Sequence, residues 1–294
     1  MTKQFFVGIG AQKAGTSWLA DYFIRHPQVA FSPVKELHYF DSMYRKDLCG
    51  GFNKIFEKRL KALLMRESFT NLYKFTHSIS LEKLEMIRCL SLRLEMMHNP
   101  KRYCDYFDTL LEAEQKAYGE ITPSYSLLNA DGFNAIKNAY NNAKFIFCLR
   151  DPVDRYWSHL RSTEKRPLNL LKYNHKKILE CLDNPQFRLR TDYERTITQL
   201  YTVVPEQDVC IIFYEHLMNG DTHAAELKKI TDFLDIDYIA GSITTKINAG
   251  NTLPLDDNDA KIIAAEFSHV YQYIEDVVPG PLPERWKQRI SLIQ

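Results

Sequence analysis

The stretch Phe5-Phe6-Val7-Gly8-Ile9-Gly10-Ala11-Gln12-Lys13-Ala14-Gly15-Thr16-Ser17-Trp18-Leu19 decides the fold. An apolar run of strand length ends at Gly10 and a glycine-containing turn follows. From Thr16 onward, Trp18, Leu19, Tyr22 and Phe23 fall on one helical stripe. Such a strand–turn–helix step leaves the first helical amides without internal partners, and with the helix dipole they form a site for an anion. Glycine lets the backbone approach that anion closely. Lys13 adds a full positive charge, and Thr16 and Ser17 add hydroxyl donors. The Walker pattern wants its lysine directly after the second glycine; here Thr16 holds that place and the lysine stands two residues before Gly15. On these residues alone, a tight turn with a surface lysine is an equal reading.

Outward from this unit, Ala117–Ile121, Lys144–Leu149 and Val209–Tyr214 read as further buried strands, and Gln28–Phe31 as a short extended piece. Each of the four main strands, Phe5–Gly10 included, is followed by a helical pattern, which predicts an α/β fold with a central parallel sheet flanked by helices. Asp151-Pro152 opens one helix as N-cap and first-turn proline. Leu227, Ile230 and Leu234 mark another, and Ile263, Phe267, Val270, Tyr271 and Ile274 mark a single late one. Helical insertions are expected at about residues 52–116 and 163–205, with Pro167 and Pro185 as breaks in the second. Residues 1–294 are expected to form one domain.

The 294 residues are 45% hydrophobic and 26% charged, with a net charge of +1. This composition excludes a disordered chain and a disulfide miniature, and it disfavours a strongly basic nucleic-acid binder. No nucleic acid partner is expected. Cys49, Cys89, Cys104, Cys148, Cys181 and Cys210 show no C-x-x-C spacing, and the histidines show no H-E-x-x-H, so reduced thiols and no metal are expected. No signal peptide or membrane-length apolar run is present, and a cytoplasmic location is expected.

A second anion motif is Lys144-Phe145-Ile146-Phe147-Cys148-Leu149-Arg150-Asp151-Pro152-Val153-Asp154-Arg155-Tyr156-Trp157-Ser158. Arg150 lies at a strand end, where α/β sheets place ligand groups, and its forked donors suit phosphate oxygens. Ser158, two helical turns on, completes a cradle. The competing reading pairs Arg150 with Asp151 or Asp154. Two anion sites at two strand ends suit a nucleotide with phosphates at both ends.

Together the motifs resemble those of the sulfotransferases. Gly10-Ala11-Gln12-Lys13-Ala14-Gly15-Thr16-Ser17-Trp18-Leu19 looks like their 5′-phosphosulfate loop, and Phe145 to Ser158 like their 3′-phosphate motif. The resemblance implies a P-loop-like nucleotide-binding fold and a sulfuryl donor, 3′-phosphoadenosine 5′-phosphosulfate (PAPS), which leaves as 3′-phosphoadenosine 5′-phosphate (PAP). It assigns Lys13, Ala14, Gly15, Thr16, Ser17 and Trp18 to the 5′ end of the donor, and Arg150 and Ser158 to the 3′-phosphate. Lys35-Glu36-Leu37-His38-Tyr39-Phe40-Asp41 is similar to the E-x-H-F-F-D segment of glycan sulfotransferases, including the heparan sulfate 3-O type, which makes Glu36 the general base. His38 is the rival base, as in the small-molecule branch. Tyr39 and Phe40 are expected to wall Glu36 and raise its pKa. Lys13 and the helix N-terminus are expected to stabilise the leaving phosphate. A sulfuryl group carries less charge than a phosphoryl group, so no metal is required.

Gly119-Glu120-Ile121-Thr122-Pro123-Ser124-Tyr125 resembles the family's E-x-T-P-x-Y segment and implies acceptor contacts for Thr122 and Tyr125. Ile121 stands where heparan-type members commonly carry lysine, which argues against a heavily charged acceptor. Phe213-Tyr214-Glu215-His216-Leu217 reads as structural, and the loop Lys246 to Asn251 as a place where the donor is covered. The insertions are the expected acceptor walls. Lys54, Lys58, Arg59, Lys61 and Arg66, and a second run from Arg161 to Arg190, attract an acidic carbohydrate or glycolipid and bring peripheral contact with a membrane, or else are solvated helix faces. The expected activity is sulfuryl transfer to a carbohydrate or glycolipid hydroxyl. The alternatives are a small-molecule or lipid alcohol with His38 as base, an ATP-dependent P-loop-like kinase, and a non-catalytic nucleotide-binding protein.

Overall fold

The computed structural model describes residues 3–73, 80–163, 175–243 and 254–294. Five parallel strands form its sheet: β1 (Gln4–Gly10), β2 (Val29–Phe31), β3 (Ala117–Ile121), β4 (Lys144–Leu149) and β5 (Val209–Phe213), in the order β2-β3-β1-β4-β5. Helices cover both faces, so the strands are near-continuous apolar runs rather than alternating ones. Successive side chains of β1 show the two layers. Phe5 stacks on Tyr140 (3.9 Å between centroids) and meets Phe107, whereas Phe6 packs against Phe23 on the other side (4.6 Å). Each such ring, buried completely, contributes about 1.5–3 kcal/mol of transfer free energy.

The chain goes from β1 to β2 at one edge, returns to β3 beside β1, then crosses to β4 and β5 on the other flank. The strand order therefore reverses between β1 and β4, and the crevice at their C-terminal ends is where an open α/β sheet binds a ligand. The turn after β1 is fixed there by the Ala11 amide, which donates to the Cys148 carbonyl of β4 at 2.7 Å.

The insertion after β2 contains the helices Phe52–Tyr73, Leu81–Glu95 and Lys101–Asp108; the insertion after β4 contains His175–Leu182, Pro185–Arg188 and Tyr193–Tyr201. Pro185 marks the expected break: the helix His175–Leu182 ends before it and the next starts at it, capped by the Asn184 side chain, because a first-turn proline lacks only an amide that has no partner there. Pro167 lies outside the described residues. The late apolar stripe is two helices, Asp257–Glu266 and Ser268–Val277, not one. Phe267 leaves helical geometry between them, so that Ile263 and Ala264 before it and Val270, Tyr271 and Ile274 after it all stay buried. All six cysteines are free thiols, and Cys148 on β4 is completely buried. Among the described residues no helix is long and apolar enough to cross a membrane.

Candidate active site

The turn after β1 is a cradle of main-chain groups. Lys13 (φ 73°) and Gly15 (φ 77°) both adopt left-handed backbone. At Gly15 a side chain is disfavoured twice over, by that φ and because a Cβ would stand 2.9 Å from the Tyr214 ring. The helix Thr16–Arg25 starts directly after Gly15 and has no side-chain cap, so its first amides keep their capacity for an anion. Ala14 and Thr16 are buried beneath the turn. Trp18 sits one turn into the helix and points to the side, its Nε1 donating to the Ser242 carbonyl at 2.9 Å and its ring stacked on Tyr22.

Arg150 meets this turn from the end of β4. Its Nη1 donates to the Lys13 carbonyl at 2.8 Å, its guanidinium lies 4.6 Å from the centre of the Tyr214 ring, and its buried Nε has no hydrogen-bond partner. The competing ion pair does not form. Asp151 instead caps the helix Pro152–Thr163 through the Asp154 amide and accepts from Tyr271, while Asp154 pairs with Arg285. Burial, with the nearby Asp154 charge, pushes the Asp151 carboxyl up to about 7. Ser158 is half-buried two turns along the same helix. Glu215 accepts from the Asp151 amide and from Trp286 Nε1, which makes it structural, as expected. Its neighbour Tyr214, expected to be structural too, carries the Arg150 cation on its ring.

Three further arginines gather here. Burial lowers the Lys13 ammonium, and the positive charges of Arg150, Arg161 and Arg155 lower it further. Arg155 is completely buried, with Nε and Nη1 unpartnered, and burial brings it down to about 10. His159 is pushed down to about 2, by burial first and then by Arg155, Arg190 and Lys13. Buried cations gathered in this way, with Glu36 and Asp41 facing them, suit an anion that adds further negative charge. Sequence reading gave Arg155 no role, although it lies inside the quoted 3′-phosphate motif, and placed Arg190 in the second basic run, whereas it is buried at this cluster.

Opposite this cluster is the loop of Glu36. Lys35 Nζ donates to Ser17 Oγ at 3.0 Å, which brings the loop against the phosphate turn. Glu36 (φ 56°) and His38 (φ 49°) are both left-handed, a conformation that costs a non-glycine residue about 1–3 kcal/mol and persists only where the surroundings impose it. His38 Nε2 lies 3.3 Å from Glu36 Oε2, and its Nδ1 lies 2.7 Å from the buried Asp41 Oδ2. The ring stacks on Phe52 with centroids 3.4 Å apart. Burial works against the charged imidazole, but Asp41 and Glu36 outweigh it and hold His38 above its usual value. Burial likewise pushes Glu36 up, and the His38 contact more than reverses it, so Glu36 lies below the usual carboxylate value. The expectation of a raised Glu36 is therefore corrected. Tyr39 and Phe40 do not wall it; they turn into the core against Tyr103, and the wall is Phe52 beneath His38. Both ring nitrogens of His38 face carboxylates and the ring is nearly buried, whereas Glu36 keeps 34% of its side chain exposed.

Thr122 and Tyr125 do not face an acceptor. Both are completely buried, and their hydroxyls donate to Glu120 at 2.6 and 2.9 Å. Ile121 is buried beside Gly8. Lys54, Lys58, Arg59 and Lys61 are exposed on the helix Phe52–Tyr73. The loop Lys246 to Asn251 lies outside the described residues, as do Lys165, Arg166 and Lys172 of the second basic run.

Residues 5–240 match the model of the sulfotransferase family. The membrane-associated sulfotransferase kil1 of Dictyostelium discoideum is 26% identical over 151 residues, which cover 51% of this chain and 21% of that protein, so the match spans about a fifth of the relative's length. Among solved structures, a sulfotransferase from Alicyclobacillus acidocaldarius superposes with a TM-score of 0.60 at 18% identity, covering 98% of this chain and 99% of the other. The sulfotransferase STF9 from Mycobacterium avium gives a TM-score of 0.48 at 13% identity over 95% and 78% of the two chains. The first of these shows a shared fold.

Proposed function

The chain belongs to the sulfotransferase family, and from that premise we propose that it transfers a sulfuryl group from PAPS to the hydroxyl of a carbohydrate or glycolipid. The observation that carries this reading is the joining of Lys13 and Arg150 through one 2.8 Å hydrogen bond across the β1–β4 crevice, with Glu36 on the adjoining loop. The residues fit a bisphosphate nucleotide. Uncapped amides and Lys13 suit the 5′ end, and the partnerless buried donor of Arg150, with Ser158 two turns along, suits the 3′-phosphate. When bound, PAPS supplies an activated sulfur–oxygen bond.

The chain's own groups do the rest. Glu36 takes the proton of the acceptor hydroxyl as its oxygen bonds to sulfur. Lys13 and the first amides of the helix Thr16–Arg25 neutralise the charge that grows on the bridging oxygen as its bond to sulfur breaks. His38 holds the carboxylate of Glu36 ionised and oriented. The depressed value of Glu36 keeps it ready to accept a proton through the neutral range. The exposed Lys54, Lys58, Arg59 and Lys61, with Ile55 and Met65 exposed on the same helix, support an acceptor presented at an acidic or membrane surface. Six free thiols support a reducing, cytoplasmic compartment.

Calorimetry with PAP, with and without Mg²⁺, tests the donor site, and transfer of labelled sulfate from PAPS across a panel of sugars, glycolipids and simple alcohols tests the reaction. Metal-independent PAP binding and transfer to a glycan support the reading. Mg²⁺-dependent ATP turnover would replace it with a kinase, and nucleotide binding without any transfer would leave a binding protein.

A further inference from the structure

The left-handed backbone at Glu36 and His38 needs an outside force, and the loop is gripped on both edges. We propose that Glu120 and Arg93 are the two jaws of a clamp that fixes the Glu36–His38 stretch, and so are positioning residues for the general base. The inference rests on the reading of Glu36 as that base.

On the amide edge, three successive N–H groups reach one carboxyl group. The Leu37 amide donates directly to Glu120 Oε2 at 3.3 Å. The His38 amide donates to Thr122 Oγ1 at 3.5 Å, and the Tyr39 amide to the Tyr125 hydroxyl at 3.2 Å. Each hydroxyl, having accepted from an amide, gives its own hydrogen to Glu120, and Tyr103 adds a further donor at 2.7 Å. Four donors converge on a side chain with no exposed surface. Such a network rigidifies when it is fully satisfied, and this one is.

On the carbonyl edge stands Arg93, also without exposed surface. Its Nη2 donates to the His38 carbonyl at 2.7 Å and to Asn53 Oδ1 at 3.1 Å, and its Nε donates to the Leu37 carbonyl. Its guanidinium lies 4.5 Å above the Phe56 ring. Glu120 belongs to the sheet, at the end of β3, and Arg93 to the inserted helix Leu81–Glu95. The loop is held between them through its own peptide groups. A buried arginine and a buried glutamate serve main chain here because relaxation of Glu36 and His38 to right-handed backbone would carry the Glu36 carboxylate away from His38 Nε2. A lysine at 93 offers no planar fork to reach two carbonyls.

The test uses Glu120→Gln, Arg93→Lys and Thr122→Val in the whole chain. Amide hydrogen exchange at Leu37, His38 and Tyr39 and NMR titration of the His38 ring are the readouts, neither of which needs an acceptor. The expected result is exchange faster by about tenfold or more at those three amides. The His38 midpoint should fall toward the ordinary 6.5. Amides of β1 should keep their protection and PAP its affinity. Should Glu120→Gln fail to fold, the other two variants decide. Unchanged exchange and titration in the folded variants overturn the clamp, as does a loss of protection that spreads equally to β1. Glu36→Gln, assayed with labelled PAPS, separates the two readings. Turnover that survives this change removes the base and leaves the exchange data standing. Turnover that collapses while the loop stays rigid in every clamp variant removes only the clamp. With both readings right, Glu36→Gln combined with Glu120→Gln turns over no slower than Glu36→Gln alone.

Discussion

The guanidinium of Arg150 spends one of its donors on the carbonyl of Lys13, 2.8 Å away in the turn after β1. The bond makes one structural unit of two segments more than a hundred residues apart in the chain. It also explains why the cation stays unneutralised, since Asp151 and Asp154 are both occupied elsewhere. Replacing Arg150 with alanine is expected to weaken PAP binding by about 10–100-fold, the scale of a charge-assisted hydrogen bond at a buried site, while AMP loses little. Calorimetry with both nucleotides measures this; equal losses would remove the 3′-phosphate assignment.

Glu36→Gln keeps the shape of the side chain and abolishes its basicity. Labelled-sulfate transfer is expected to fall by about 10²–10⁴-fold, with PAP affinity held. Turnover within a few-fold of the parent would move the base to another group.

For His38 the sign of the pH dependence is fixed by the direction of its shift. Its folded value is raised, so its contribution to stability is fully present below the ordinary 6.5 and is lost as pH rises through the folded value. Urea unfolding of the parent and of His38→Gln should differ most in acid and converge in alkali. A gap that widens with pH would contradict the Glu36–His38–Asp41 arrangement.

Gly15→Ala places a Cβ at φ 77°, 2.9 Å from the Tyr214 ring that carries Arg150. The expected cost is about 1–2 kcal/mol in thermal unfolding, together with weaker PAP binding, because both anion motifs shift. An unchanged melting temperature with unchanged affinity would show that the turn tolerates a side chain.

Reversing Lys54, Lys58 and Lys61 to glutamate should release the protein from vesicles containing phosphatidylserine, at about 1 kcal/mol per cation, without altering PAP binding. Equal sedimentation of parent and variant would make the face a solvated one.

The sheet was legible because a strand buried on both faces writes itself as a largely apolar run, broken in β3 only by Gly119 and Glu120; β3 and β4 fall on the residues read for them, and the phosphate turn needs only local sequence. The contacts of Thr122 and Tyr125 were not legible. A hydroxyl after a strand looks the same whether it meets an acceptor or a buried Glu120, and only the path of residues 36–39 tells the two apart. The lowered value of Glu36 was hidden for a similar reason, since the motif names His38 as a rival base and only the fold turns its ring onto the Glu36 carboxylate. Arg93 stands in an insertion with no motif, and nothing in its neighbours points to the Leu37 and His38 carbonyls.

Cys148 lies two residues before Arg150, completely buried, and its carbonyl takes the Ala11 amide. Burial holds its thiol well above the usual range, so a disulfide reagent in solution meets neither an open path nor a thiolate. Labelling of Cys148 therefore waits for the layers packed over β4 to open, and its rate should time that opening.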